Sequence, residues 1–371
     1  MAIVRGFTAL NDASAETILD RVMEARAALP RIVQEEKPLV MSFGSSMTEA
    51  GFSARQFDRE MAEREIDAKS FNFGFGGLNP YFQDYLSRRI RDAFVENDRR
   101  LKLALIEFTP LQNTTARWNG ARPSVDSFVT MLADGSDVWD IIKEDPTRGI
   151  RVAEIKYLRD DISAEMITYY FGGDMFRTPG QRSGVEPDEE KDKLLEEIGE
   201  KLSANFAKEY PDYDGANWSF EWQGAGTIPE ERSQETLDLF VPYFDALRSE
   251  QRLSDDRLRR ITCCDIEELH FEETLIAAFI RTVKNFQEFS DEVEVILMPR
   301  NHDWIQRPPE AWDRMNAVLE RIKQETGVHI RSFEDWGNPQ MFSDTTHLAR
   351  YGGDVPYTSM LVETYAEALE R

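Results

Sequence analysis

Short apolar runs and amphipathic stretches alternate at both ends of the chain. Runs of four to eight apolar residues between turn formers predict buried strands, and apolar residues three and four apart predict one helix face. By these patterns "PLVMSF" (38–43), "AKSFNF" (68–73), "LKLALIEF" (101–108), "EVEVILMP" (292–299) and "VHIRSF" (328–333) are strands. Helices fall between them. "SAETILDRVMEARAAL" (14–29) carries Ile18, Val22 and Ala25 on one stripe, and "ARQFDREMAERE" (54–65) follows the first strand. Asn79 and Pro80, an N-cap and a first-turn proline, open "YFQDYLSRRIRDAFVEN". "EETLIAAFIRTVKNFQEF" (272–289), "PEAWDRMNAVLERIKQE" (309–325) and a last helix over 354–370 complete the set. Strands alternating with helices predict an α/β fold: a flavodoxin-like five-stranded parallel sheet with helices on both faces. In such sheets ligands bind beyond the carboxyl ends of the strands.

The alternation breaks between the third and fourth strands. Residues 109–291 are far too long for one crossover, so two units are expected: an α/β domain from 1–110 and 292–371, and an insertion over 111–291. Helix-like pieces at 123–133, 187–208 and 231–254 make the insertion mainly helical. It leaves the sheet at its carboxyl edge, which suits a lid or substrate-binding cap; a packing or oligomerisation module is the alternative. Trp218 and Trp222, in its aromatic loop, either stack on a sugar or acyl chain or form the insertion's own core.

Composition narrows the partners. The 371 residues carry a net charge of −25 and a pI near 4.7, with 41% hydrophobic and 30% charged residues. That is a globular composition, and it lacks the basic footprint that nucleic acid or an anionic membrane surface requires. No run of about 18 apolar residues occurs, so no membrane span is expected. The N-terminus has no apolar signal region, which predicts a cytoplasmic protein, or an exported one if a leader precedes Met1. Cys263 and Cys264 are adjacent and give no disulfide framework. No His/Cys/Asp cluster has metal-ligand spacing, so neither a metal nor a cofactor is expected. No oligomeric state is implied.

The candidate chemistry lies at the strand ends. In "VMSFGSSMTEAGF" (40–52) the first strand runs into two hydroxyls, Ser45 and Ser46. Of the four histidines, His347 fits a general base best: it follows Asp344 by three residues in a loop, between the last strand and the last helix. That spacing lets the carboxylate reach Nδ1–H while Nε2 faces a nucleophile. The glycines of "NFGFGGLNP" (72–80) allow close approach of a backbone N–H, but Gly74, Gly76 and Asn79 do not make a dinucleotide fingerprint. The α/β-hydrolase elbow is excluded as well, because Gly44-Ser45-Ser46-Met47-Thr48 lacks its second glycine. Arg300, Asn301 and His302 follow the fourth strand and are candidates for substrate contact, with loop structure as the alternative. Glu107 reads as a paired structural carboxylate, and His270 and His329 as structural or exposed.

Taken together, "FGSSMTEAG", "NFGFGG" and "DTTH" resemble the first, second and terminal blocks of the SGNH (GDSL-type) hydrolases, whose usual forms are F-G-D-S-L-T-D-G, N-x-x-x-x-G and D-x-x-H. The resemblance leaves the insertion uncovered. It implies that Ser46 is the nucleophile and donates its own N–H to the oxyanion, that Gly77 is the second donor, that His347 is the base and that Asp344 orients it. Two positions depart from the pattern. Ser45 stands where the usual block has aspartate, and "FTPLQNTT" replaces the third block, leaving Asn113, Gln112 or neither as its donor. A G-S-S first block is similar to the branch that moves acyl groups onto glycans. The resemblance therefore implies a serine-dependent esterase or deacylase acting through an acyl-enzyme on an O-acyl ester of a small molecule or carbohydrate. The alternatives are an O-acyltransferase to a sugar or other hydroxyl acceptor using the same triad, and a non-catalytic binding or scaffold module.

Overall fold

The computed structural model describes residues 18–76, 78–119, 135–158, 189–209, 232–247, 266–267, 269–303, 305–344, 346–350 and 352–370. Within them the chain runs α1 (Ile18–Ile32), β1 (Leu39–Gly44), α2 (Ser46–Gly51), α3 (Ala54–Glu63), β2 (Lys69–Gly74), α4 (Pro80–Glu96) and β3 (Leu101–Glu107). Then come α5 (Gly135–Glu144), α6 (Pro146–Ala153), α7 (Glu189–Glu209), α8 (Gln234–Leu247), α9 (Glu273–Phe289), β4 (Ser290–Leu297), α10 (Pro309–Thr326), β5 (His329–Ser332) and α11 (Asp354–Glu370). The five strands form one all-parallel sheet in the order β2-β1-β3-β4-β5. This is the flavodoxin-like α/β arrangement expected from the alternation.

Successive side chains of a strand point to opposite faces, and the core divides accordingly. Leu39, Met41 and Phe43 of β1 join Phe71, Phe73, Leu101, Ala104 and Ile106 under α1, α4, α9 and α10. Val40, Leu103, Leu105 and Ile296 face the other way, under α2, α3 and α11. Both faces are covered, which is why β1 reads as a continuous apolar run rather than an alternating one. The order places β1 between β2 and β3, so the chain leaves β1 for one side and later returns to its other side. The crevice between β1 and β3 is the switch point at which open α/β sheets bind ligands.

Local signals account for most element ends. Asn79 caps α4 by accepting from the Phe82 N–H, with Pro80 at the first helical position. Gly327, at φ +69°, ends α10 in the left-handed conformation. The first helix differs from expectation. It continues through Pro30 to Ile32, because Leu29, Ile32 and Val33 are buried against the sheet and their packing outweighs the hydrogen bond that Pro30 cannot donate.

Most described residues of the insertion are helical, and Thr114 and Phe271 near its two ends pair as an isolated antiparallel bridge. α7 overlaps the predicted 187–208, starting two residues later and ending one residue past it, and α8 lies inside the predicted 231–254, whereas 123–133, Trp218, Trp222 and both cysteines lie outside the described residues. α5 and α6 form a tight pair, in which the Gly149 backbone packs directly on Ile142. The pair docks on α4: Arg88 donates to Asp140 at 3.3 Å, Arg89 bonds Asp137, and the Arg148 guanidinium lies 4.1 Å from the centre of the Tyr81 ring and 5.3 Å from that of Trp118. Tyr81 is in the first turn of α4, so this contact sits near the carboxyl edge of the sheet. No described helix is long and apolar enough to cross a membrane.

Two glycines let α2 close over the strand ends. A Cβ on Gly74 would come within 2.6 Å of Glu49 Cα, and one on Gly44 would overlap Thr48 Oγ1 and Glu107. Gly74→Ala is therefore expected to lower stability by about 1–3 kcal/mol, as overpacking does. Urea denaturation checks this, and an unchanged midpoint would mean that α2 does not seat on β2 this closely.

Candidate active site

α2 begins where β1 ends. Ser45 is its N-cap, with the hydroxyl accepting from the Met47 N–H at 3.3 Å, and Ser46 is the first helical residue. In that position the Ser46 N–H has no acceptor within the helix, so it is available to an incoming oxygen. Its hydroxyl lies 2.8 Å from His347 Nε2. The His347 Nδ1–H donates to Asp344 Oδ2, also at 2.8 Å. With Nδ1 protonated toward the carboxylate, Nε2 is left to accept the Ser46 proton. This is the geometry in which an imidazole can activate a serine hydroxyl.

The loop that holds Asp344 and His347 is closed on itself. Asp344 Oδ1 accepts from the backbone N–H groups of Thr346 and His347, both at 2.7 Å, and from Thr346 Oγ1 at 3.2 Å. The Ser343 N–H returns to the His347 carbonyl at 2.9 Å, and Ala349 N–H to the Met341 carbonyl at 2.8 Å. The carboxylate thus shapes its own turn, and the turn aims the imidazole at β1. The D-x-x-H spacing expected from sequence works because an aspartate can bond backbone two and three residues on while its second oxygen meets the ring.

The remaining predicted residues separate by position. Gly77 lies outside the described residues. Its neighbour Gly76 donates its N–H to Glu49 Oε2 at 3.0 Å, and a Cβ there would stand 3.8 Å from Ser46 Cβ, so this loop borders the serine. Arg21 of α1 supports the same loop by donating to the Asn72 carbonyl at 3.1 Å and the Gly74 carbonyl at 2.5 Å. Asn113 ends the 3-10 turn Pro110–Asn113; it is buried and donates from Nδ2 to the Thr109 carbonyl at 2.9 Å. Gln112 instead accepts from Arg117 Nε at 2.8 Å.

Arg300 and Asn301 are buried and His302 is half-buried. The Arg300 guanidinium sits behind Met47, with Nη1 3.2 Å from the sulfur. Burial pushes it down to about 10, Arg307 beside it adds to the depression, and Glu334, Glu107 and Asp344 counter it. It stays cationic at neutral pH, a buried positive charge beside Met47 that interacts with the Glu107 and Asp344 carboxylates. Asn301 reaches the Asp344 carbonyl at 3.5 Å. His270 is exposed, and His329 rests on Glu294 at the outer edge of the sheet.

Glu107, read from the sequence as a paired structural carboxylate, has hydroxyl and backbone N–H groups as its hydrogen-bond partners. At the end of β3 and 3% exposed, it accepts from the backbone and hydroxyl of both Ser45 and Thr48 and from the Thr109 hydroxyl. The sequence signal was present: one carboxylate at the carboxyl end of a strand that is apolar from Leu103 to Ile106. Thr109 is two residues away, but Ser45 and Thr48, at the N-cap and within α2, lie 62 and 59 residues away and could not be read from its neighbours. Among the described residues no group of three or more His, Cys, Asp or Glu side chains is placed to hold a metal ion.

Compared with models of known families and with curated proteins, the chain matches none.

Proposed function

We propose that the protein is a serine-dependent esterase or deacylase of the SGNH type, acting on an O-acyl ester of a small molecule or carbohydrate. The observation that carries this reading is the unbroken chain Ser46–His347–Asp344, with both links at 2.8 Å, in which Ser46 meets a histidine 301 residues away at the carboxyl edge of a parallel sheet. Ser46 Oγ attacks the ester carbonyl while His347 Nε2 takes its proton. The oxyanion so formed is met by the Ser46 N–H, with Gly77 as the second donor that the resemblance implies, whereas Asn113 Nδ2 is engaged by the Thr109 carbonyl. His347 then returns the proton to the departing alcohol. Water, deprotonated by the same imidazole, hydrolyses the acyl-enzyme. The docking of α5 and α6 beside the first turn of α4 supports a role for the insertion as a cap over this edge.

Transfer to a hydroxyl acceptor uses the same residues and differs only in what resolves the acyl-enzyme. The Gly44-Ser45-Ser46 sequence of the first block favours keeping it as the second reading. A fluorophosphonate separates these enzymes from a non-catalytic module. The adduct is expected on Ser46, located by mass spectrometry, with loss of p-nitrophenyl acetate hydrolysis. An unlabelled protein, or an adduct on Ser45, would overturn the reading. Adding sugar acceptors to the labelled-acyl reaction and measuring acylated sugar against free acid then distinguishes transfer from hydrolysis.

A further inference from the structure

We propose that Glu107 is a positioning residue for the nucleophile: a buried carboxylate on β3 that holds the β1–α2 turn so that Ser46 meets His347. This rests on the reading of Ser46 given above. Glu107 Oε2 accepts from the Ser45 N–H at 2.9 Å, the Thr48 N–H at 2.9 Å and Thr48 Oγ1 at 2.6 Å. Glu107 Oε1 accepts from Ser45 Oγ at 2.5 Å and from Thr109 Oγ1. Five donors meet a group with about four lone-pair sites, so the carboxylate is saturated and every neighbour faces it as a donor. Four of the five come from residues that flank Ser46 on either side.

The consequence for Ser46 is directional. The N–H groups of Ser45 and Thr48 are turned inward to the carboxylate, and Ser46 is the residue between them whose hydroxyl faces outward to the imidazole. A second observation points the same way. Gly44 has no room for a Cβ, because that space is filled by Glu107 and the Thr48 hydroxyl. The turn is therefore built around the carboxylate, across the crevice between the two strands that flank the switch point. Glu107 touches neither Ser46 Oγ nor the imidazole, and it acts through the backbone that carries the nucleophile.

Three variants test this: Glu107→Gln, Ser45→Asp and the double Ser45→Asp/Glu107→Gln. The amide of Glu107→Gln turns a donor toward donors, so kcat per phosphonate-titrated site is expected to fall about 10²-fold with KM little changed, as for a nucleophile displaced by about 1 Å. Ser45→Asp places two carboxylates within hydrogen-bond distance and is expected to be worse. The double variant relieves that repulsion and should recover at least about tenfold over Ser45→Asp, a coupling between neighbours in one network. A merely structural Glu107 would lower the melting temperature and the fraction of titratable sites while leaving kcat per site intact. The 15N resonance of His347 Nε2 gives a readout that needs no turnover. In Glu107→Gln it should move toward its value in Ser46→Ala, because the Ser46 hydrogen bond is lost in both. A wild-type protein that hydrolyses nothing would defeat the esterase reading and leave this measurement standing. Wild-type kcat per site with an unmoved Nε2 resonance in Glu107→Gln, or a double variant no better than Ser45→Asp, would overturn the proposal. Should Glu107→Gln fail to fold, Thr48→Val/Thr109→Val leaves three donors for about four lone-pair sites, and an unchanged kcat and resonance there would overturn it equally.

Discussion

Ser46→Ala is expected to lower kcat/KM for ester hydrolysis by about 10⁴- to 10⁶-fold, the loss seen when a nucleophile is removed from a coupled triad. The fold should be retained. Among the described residues the Ser46 hydroxyl bonds only His347 Nε2, whereas the turn itself is held by Ser45, Thr48 and Glu107. Substrate affinity should be little changed, since the binding surface keeps its shape. Ser45→Ala is the informative companion, because the two hydroxyls are adjacent in sequence and opposite in role. The Ser45 hydroxyl is buried and faces Glu107, so its loss should cost far less than that of Ser46 and should leave phosphonate labelling intact. Rates of p-nitrophenyl acetate hydrolysis and circular dichroism for both variants check the expectation. Equal losses in the two, or full activity in Ser46→Ala, would show that the nucleophile lies elsewhere.

Removing His347 should be nearly as severe, and the loss should not add to that of Asp344. His347 carries the proton, while Asp344 holds the ring in one tautomer and stabilises the imidazolium. Each single alanine variant is expected to lose about 10⁴-fold or more in kcat. If the two acted independently the double variant would lose the product of the two factors. Because an orienting carboxylate has nothing to orient once the imidazole is gone, Asp344→Ala/His347→Ala should fall within about threefold of His347→Ala alone. Asp344 has a second task. Its Oδ1 closes the loop through the Thr346 and His347 N–H groups, so Asp344→Ala should also lower the melting temperature, and Asp344→Asn, which keeps an acceptor there, should do so less. The pH profile carries the sign of the mechanism. Protonated His347 cannot accept the Ser46 proton, so wild-type activity should fall as the solution is acidified. Multiplicative losses in the double variant would contradict a coupled dyad, and a profile without an acid limb would contradict His347 as the base.

What could be read from the chain alone was whatever depends on neighbours a few residues apart. The apolar runs of the five strands, the cap of Asn79 and Pro80, and the Asp344-x-x-His347 turn are each specified locally. The structure places them at the expected positions, to within a few residues at their ends. The candidate serine and histidine were legible for the same reason: each lies in the connection that follows a strand, Ser46 directly after β1 and His347 between β5 and α11, and in a parallel sheet such connections start from one edge. Tertiary structure decided the rest. It decided which of two adjacent hydroxyls faces the imidazole, because the other is drawn inward by a carboxylate 62 residues away. It turned Glu107 from a carboxylate at the end of a mainly apolar strand into the acceptor for five donors. It also carried α1 past Pro30, where burial outweighs a missing hydrogen bond. A buried polar group is tolerated only with its partners in place, and those partners arrive from strands adjacent in the sheet and distant along the chain. Sequence periodicity describes a face, and only the strand order brings Ser45 and Glu107 to the same crevice.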